Sequence, residues 1–139
     1  MATTRKASAV WDGDLLSGGG KVTLDSSGIG TYPVSWPARS AEPNGVTSPE
    51  ELIAAAHSTC FAMAFSNGLA KAGTPPTQLR TSAEVDFQPG VGITEIRLHV
   101  SGEVPGMSAE DFAVAAENAK ANCPVSQALK AVPIFLTVN

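Results

Sequence analysis

Residues 48–71 constrain this chain more than any other segment. Ser48, Pro49 and Glu50 in succession, with Glu51 three positions after Ser48, supply an N-cap, a first-turn proline and the carboxylate of a capping box. Between Glu51 and Lys71 there is no Asp, Glu, Lys or Arg, and Gly73 and Pro75 close the segment. A helix so long and so nearly uncharged is expected to be buried on most sides, and its alanines let other backbones come close. The rest of a small chain must be organised around covering it.

That remainder reads as strands, turns and two further helices. The first forty residues suggest strands separated by turns at Trp11 to Asp14, Ser17 to Gly20 and Asp25 to Gly28, with strands over 21–25 and 29–36. Residues 37–47 read as a loop carrying Arg39. Two strands, 78–87 and 93–104, flank the turn Gln88-Pro89-Gly90-Val91-Gly92 and form a hairpin. Ser108 opens a helix with an acidic first turn that runs to about residue 121, Pro124 opens a short helix through Lys130, and Ile134 to Val138 is a final strand. With 139 residues, 43% of them hydrophobic, and no repeat or linker, the expectation is one α+β domain over 1–139.

Composition removes several function classes. A formal net charge of −4 does not suit a nucleic-acid binder, which needs a basic face to displace counterions. The apolar stretches read as shorter than the ~20 residues that span a bilayer, so no membrane partner is expected. The start, Met-Ala-Thr-Thr-Arg-Lys, has no apolar core behind its charges, and the expected location is the cytoplasm. Ser17 to Gly20 lacks the GxxxxGK[ST] pattern of a phosphate loop.

In such a compartment thiols stay reduced, so Cys60 and Cys123 are either packing residues or redox chemistry. Cys60 lies mid-helix, away from the helix N-terminus, and burial would raise its pKa; to react it needs a cation from elsewhere. Cys123, before Pro124, reads as an N-cap whose sulfur faces free N–H groups, which favours the thiolate. Arg39, in a proline-flanked loop ahead of the cysteine helix, is a candidate cation among only 9 Lys+Arg. Glu50 stands ten residues before Cys60, ~15 Å along one helix, so the two could share a site only if the helix broke or a second subunit supplied one of them. Taken alone, Glu50 is simply favourable charge in a first helical turn. His57, three residues before Cys60, leaves open a His-activated thiol, an acyl transferase or hydrolase. A non-catalytic dimeric protein binding small apolar ligands is the other open reading, with both cysteines as packing. There is no CxxC or HxxxH spacing to preorganise zinc, and no metal or cofactor is expected.

The stretch Ser48-Pro-Glu-Glu-Leu-Ile-Ala-Ala-Ala-His-Ser-Thr-Cys-Phe-Ala-Met-Ala-Phe65, with Asn122-Cys-Pro-Val-Ser-Gln-Ala-Leu129, closely resembles the family of osmotically inducible protein C and the organic hydroperoxide resistance proteins (OsmC/Ohr), in its OsmC branch. The resemblance covers essentially the whole chain. Arg39 matches that branch's upstream arginine, although its neighbours Ala38 and Ser40 depart from the usual Thr-Arg-Phe-like tripeptide. What the resemblance implies is an OsmC-like α+β fold in an intertwined homodimer, with sites at the subunit interface. It also implies a thiol-dependent peroxidase that reduces organic hydroperoxides in oxidative stress. Cys60 would be the peroxidatic thiol, Cys123 the resolving thiol that joins it in a disulfide, Arg39 the thiolate-stabilising cation and Glu50 the carboxylate holding that arginine. A dithiol of lipoyl type would restore the pair. Ile53, Phe61 and Met63, near Cys60 in sequence, could favour substrates carrying hydrocarbon groups.

Overall fold

The computed structural model describes residues 1–139, which divide into two compact units, 1–49 and 50–139. In the first, strands β1 (Ser8–Asp12), β2 (Gly19–Thr23) and β3 (Thr31–Val34) form an antiparallel sheet in the order β1-β2-β3. The first turn differs from the sequence reading. Trp11 and Asp12 belong to β1, the reversal occupies 13–18, and Gly19 and Gly20 pair with Asp12 and Trp11 inside the sheet. Asp14 holds that reversal by accepting from the Ser17 amide and hydroxyl, both at 2.7 Å. Gly20 serves close packing: a Cβ there would run into the Val10 carbonyl oxygen and sit 2.8 Å from Cε3 of the Trp11 ring.

The segment expected to be a loop around Arg39 begins instead as a helix, α1 (Trp36–Ser40). The cause is local. Ser35 accepts a hydrogen bond from the Ala38 amide at 3.2 Å, and Pro37 occupies a first-turn position where its missing N–H costs nothing. β3 therefore stops at Val34, short of the expected residue 36.

The second unit contains α2 (Pro49–Lys71), β4 (Gln78–Gln88), β5 (Gly92–Glu103), α3 (Ala109–Asn122), α4 (Pro124–Ala128) and β6 (Ile134–Val138). α2 spans the expected residues and is unbroken. Gly73, at φ +86°, ends it in a Schellman motif: Thr74 N–H donates to the Leu69 carbonyl at 2.9 Å and Gly73 N–H to the Ala70 carbonyl at 3.0 Å. β4 and β5 form the expected hairpin, with Gly90 at φ +81° in its turn, and β6 returns parallel to β5 through α3 and α4. The crossover follows from that parallel pairing, which a tight turn cannot make.

Phe61, Phe65 and Leu69, spaced one helical turn apart on α2, meet Leu98 and Val100 of β5 and Phe112, Ala116 and Ala119 of α3. The Phe65 and Phe112 rings lie 5.1 Å apart in a tilted pair. The opposite face of the sheet is charged. Arg97 binds Asp86 at 2.7 Å, Glu95 at 2.6 Å and Glu84 at 3.4 Å, which leaves one fewer of the chain's scarce cations for other work.

Contrary to the sequence expectation, one segment is long and apolar enough to cross a bilayer: α2, with a mean hydropathy of 1.2 over eighteen residues. Core helices satisfy the same criterion, and the Phe61–Leu69 stripe is core here. Only 22% of that apolar window is buried within the chain, and Met63 is 69% exposed.

One polar link runs through the core. His57 of α2, fully buried, approaches Ser126 Oγ of α4 through Nε2 at 2.7 Å, while its Nδ1 has no hydrogen-bond partner. Burial holds this imidazole below its ordinary pKa of about 6.5, since a charged ring here would lose its hydration.

Two outcomes follow from this packing. Phe65→Ala should lower unfolding free energy by about 3–5 kcal/mol, read from denaturant titration, because it removes a ring from a filled core. Near about pH 6.5 the unfolded chain takes up a proton on His57 that the native chain refuses, so the stability due to a neutral imidazole is full above that pH. It is lost as pH falls from there toward the depressed native pKa. Denaturation midpoints for wild type and His57→Gln should diverge in slope over this window; parallel slopes would contradict the assignment.

Candidate active site

Cys60 sits at the middle of α2, half-buried, and Cys123 lies at the junction of α3 and α4, fully buried; both are free thiols. Just ahead of Cys60, Ser58 and Thr59 return their hydroxyls to the Ala55 carbonyl at 3.2 and 2.7 Å, so neither leaves an unmatched donor beside the thiol. Cys123 is placed by its backbone. Its N–H donates to the Ala119 carbonyl at 2.9 Å, closing α3, and its carbonyl accepts from Gln127 at 3.0 Å, opening α4. Pro124 forbids helical dihedrals at the preceding residue, and Cys123 accordingly adopts φ −55°, ψ 128°.

Cys123 thus occupies the N-cap position expected of it, yet its sulfur makes no capping hydrogen bond. The thiol is directed instead to Cys60. Burial pushes the Cys60 pKa above its ordinary value of about 9.0, the hydrogen bond with the Cys123 thiol adds to this, and the Val125 amide acts in the opposite direction. The expectation that a mid-helix thiol would be held protonated by its surroundings is met. A reactive Cys60 therefore needs positive charge beyond what its immediate neighbours provide.

The other candidates divide between the two units. Glu50 is in the first turn of α2, 6% exposed, and because the helix runs without a break it stays ~15 Å from Cys60 along the axis of its own chain. Arg39 belongs to α1 in the first unit and is half-buried. Of the apolar residues near Cys60 in sequence, Phe61 is core and Met63 points to the exposed side of α2.

The His57–Cys60 dyad is not formed. Nε2 of His57 is engaged by Ser126 and Nδ1 by nothing, so neither nitrogen holds the thiol proton. Ser126 is the residue that sequence reasoning passed over. Its signal was the spacing: Ser126 follows Cys123 by three positions just as Cys60 follows His57 by three. Residues three apart share a helical face, so the two pairs meet as adjacent antiparallel rungs, 57 with 126 and 60 with 123.

Comparison with known proteins places the chain in a family. Residues 42–137 match the family model described as OsmC-like protein. The peroxiredoxin OsmC of Escherichia coli K12 and that of Shigella flexneri are each 42% identical over 134 residues, covering 94% of this chain and 93% of theirs. Among solved structures, an organic hydroperoxide resistance protein OsmC from Legionella pneumophila superposes with a TM-score of 0.75 at 23% identity, over 100% of this chain and 98% of that one. An organic hydroperoxide resistance protein from Elizabethkingia anophelis, 25% identical, gives 0.70 with 100% of each chain covered. By the extent of the family match and the identity to these relatives, the chain belongs to the OsmC-like protein family.

Proposed function

We propose that this chain is a thiol-dependent peroxidase that reduces organic hydroperoxides through Cys60 and Cys123. The observation that carries the reading is the direct apposition of two free thiols in a chain 42% identical to peroxiredoxins. The Cys60 thiolate attacks one peroxide oxygen, the O–O bond breaks, and the leaving alkoxide takes a proton to become the alcohol. Cys60 is left as a sulfenic acid. The Cys123 thiol condenses with it, forming the disulfide and releasing water, which removes the sulfenic acid before further oxidation. A dithiol of lipoyl type returns both cysteines to thiols by exchange and is itself oxidised to a disulfide. Such a cycle suits a reducing compartment, the cytoplasm.

Arg39 supplies the cation that the buried Cys60 lacks, lowering the thiol pKa and offsetting charge that develops on the peroxide oxygens, and Glu50 orients it. The functional unit is a homodimer. The incomplete burial of α2 supports this, since an apolar helix left mostly uncovered by its own chain is suited to cover by a second copy. It also meets the distance constraint, because Glu50 can serve a Cys60 other than the one on its own helix.

Intact-mass spectrometry after one equivalent of cumene hydroperoxide tests the cycle. Wild type should lose two hydrogens, and Cys123→Ser should retain a dimedone-reactive sulfenic acid on Cys60. An unchanged mass in wild type would overturn the proposal. Arg39→Ala and Glu50→Ala should remain folded and oxidise more slowly, Arg39→Ala by about 100-fold at neutral pH. The deficit in Arg39→Ala should narrow at alkaline pH, where the thiolate forms without help. Wild-type rates in both variants would remove these two roles.

A further inference from the structure

From the paired rungs between α2 and α4 we infer that the buried His57–Ser126 hydrogen bond is a positioning device that holds Cys123 in reach of Cys60 for disulfide formation. The inference rests on the peroxidase reading above and assigns His57 and Ser126 a part in its second chemical step.

α4 has five residues, too few to be stable on its own helical hydrogen bonds. Two of its other attachments run back along the chain. The Cys123 amide is fixed to Ala119 at the end of α3, and the Gln127 side-chain amide donates to the Ala121 carbonyl. Both tie α4 to α3, the helix that precedes it in the chain. Toward α2, which carries the other thiol, the Val125 amide reaches the Cys60 sulfur itself. The 2.7 Å contact between His57 Nε2 and Ser126 Oγ links α4 to α2 away from that sulfur, in the buried core, one helical turn from the thiols on both elements.

The chemistry gives such a link a purpose. A sulfenic acid on Cys60 is captured by Cys123 or oxidised further, and the outcome is set by how often the second sulfur is within reach. A polar bond buried in an apolar core is costly to open, because each partner left behind is desolvated without compensation. It therefore restricts α4 to the arrangement in which the thiols face each other. It makes no contact with the Cys60 sulfur and so leaves the attack on peroxide untouched.

Rapid-quench single-turnover oxidation with cumene hydroperoxide separates the two steps. Quenching into dimedone measures Cys60 sulfenic acid, and mass spectrometry measures the disulfide. In Ser126→Ala, sulfenic acid should form at the wild-type rate, while the disulfide forms about tenfold more slowly and Cys60 sulfinic acid accumulates under excess hydroperoxide. Ser126→Thr, which keeps the hydroxyl, should restore the disulfide step, as should His57→Gln, which keeps a hydrogen-bonding group at similar reach. His57→Leu should behave as Ser126→Ala. Wild-type disulfide rates in Ser126→Ala would overturn the inference, as would equal slowing of both steps or failure of Ser126→Thr to restore the second. Absence of any disulfide in wild type would instead overturn the peroxidase reading, so the two failures are distinguishable.

Discussion

Packing of the Phe61–Phe65–Leu69 stripe against β5 and α3 is the interaction on which the second unit depends. It seats α2 across the sheet at a fixed rotation, and rotation decides what each remaining position faces. With those three side chains turned into the core, Cys60 falls at its margin, half-buried, while His57 is drawn fully inside. The same stripe brings α3 alongside through Phe112, Ala116 and Ala119, and Cys123 follows directly from the end of α3. The meeting of the thiols is thus a consequence of apolar packing, and the polar bond between His57 and Ser126 is added to it.

This seating has an electrostatic cost for the chemistry. The environment that brings the thiols together also disfavours the thiolate, since burial and a neighbouring thiol both push the Cys60 pKa upward. Three cations of the same unit are committed elsewhere: Arg97 to three carboxylates on the outer sheet face, Arg80 to Glu103 and Lys120 to Glu117. A thiol so placed needs a cation from beyond its immediate neighbours, the part proposed for Arg39.

Most elements were legible in the sequence where a local cause acts. Ser48, Pro49 and Gly73 bound α2, Ser108 bounds α3 and Pro124 bends the chain at Cys123, because each works through its own backbone or its near neighbours. The helix around Arg39 had an equally local cause, a Ser35 cap and a first-turn Pro37, but the density of prolines and glycines from 37 to 45 masked it as loop. At the first hairpin, Gly19 and Gly20 looked like turn residues because glycine permits a turn. Pairing across the strands decided otherwise, since at Gly20 the Val10 carbonyl and the Trp11 ring leave no room for a side chain.

By itself the sequence determined α2, α3 and α4, the β4–β5 hairpin, the family and the two cysteines worth examining, since these rest on capping, periodicity and motifs carried by contiguous residues. It also set the separation of Glu50 from Cys60, which is a matter of helical rise alone. Tertiary structure decided what the side chains do. Cys123 turned from its helix terminus toward Cys60, and His57 bonded Ser126, 69 residues away, rather than the Cys60 thiol. Spacing says which residues share a face, but which faces meet depends on how the apolar stripes pack, and that is settled only when the whole core closes.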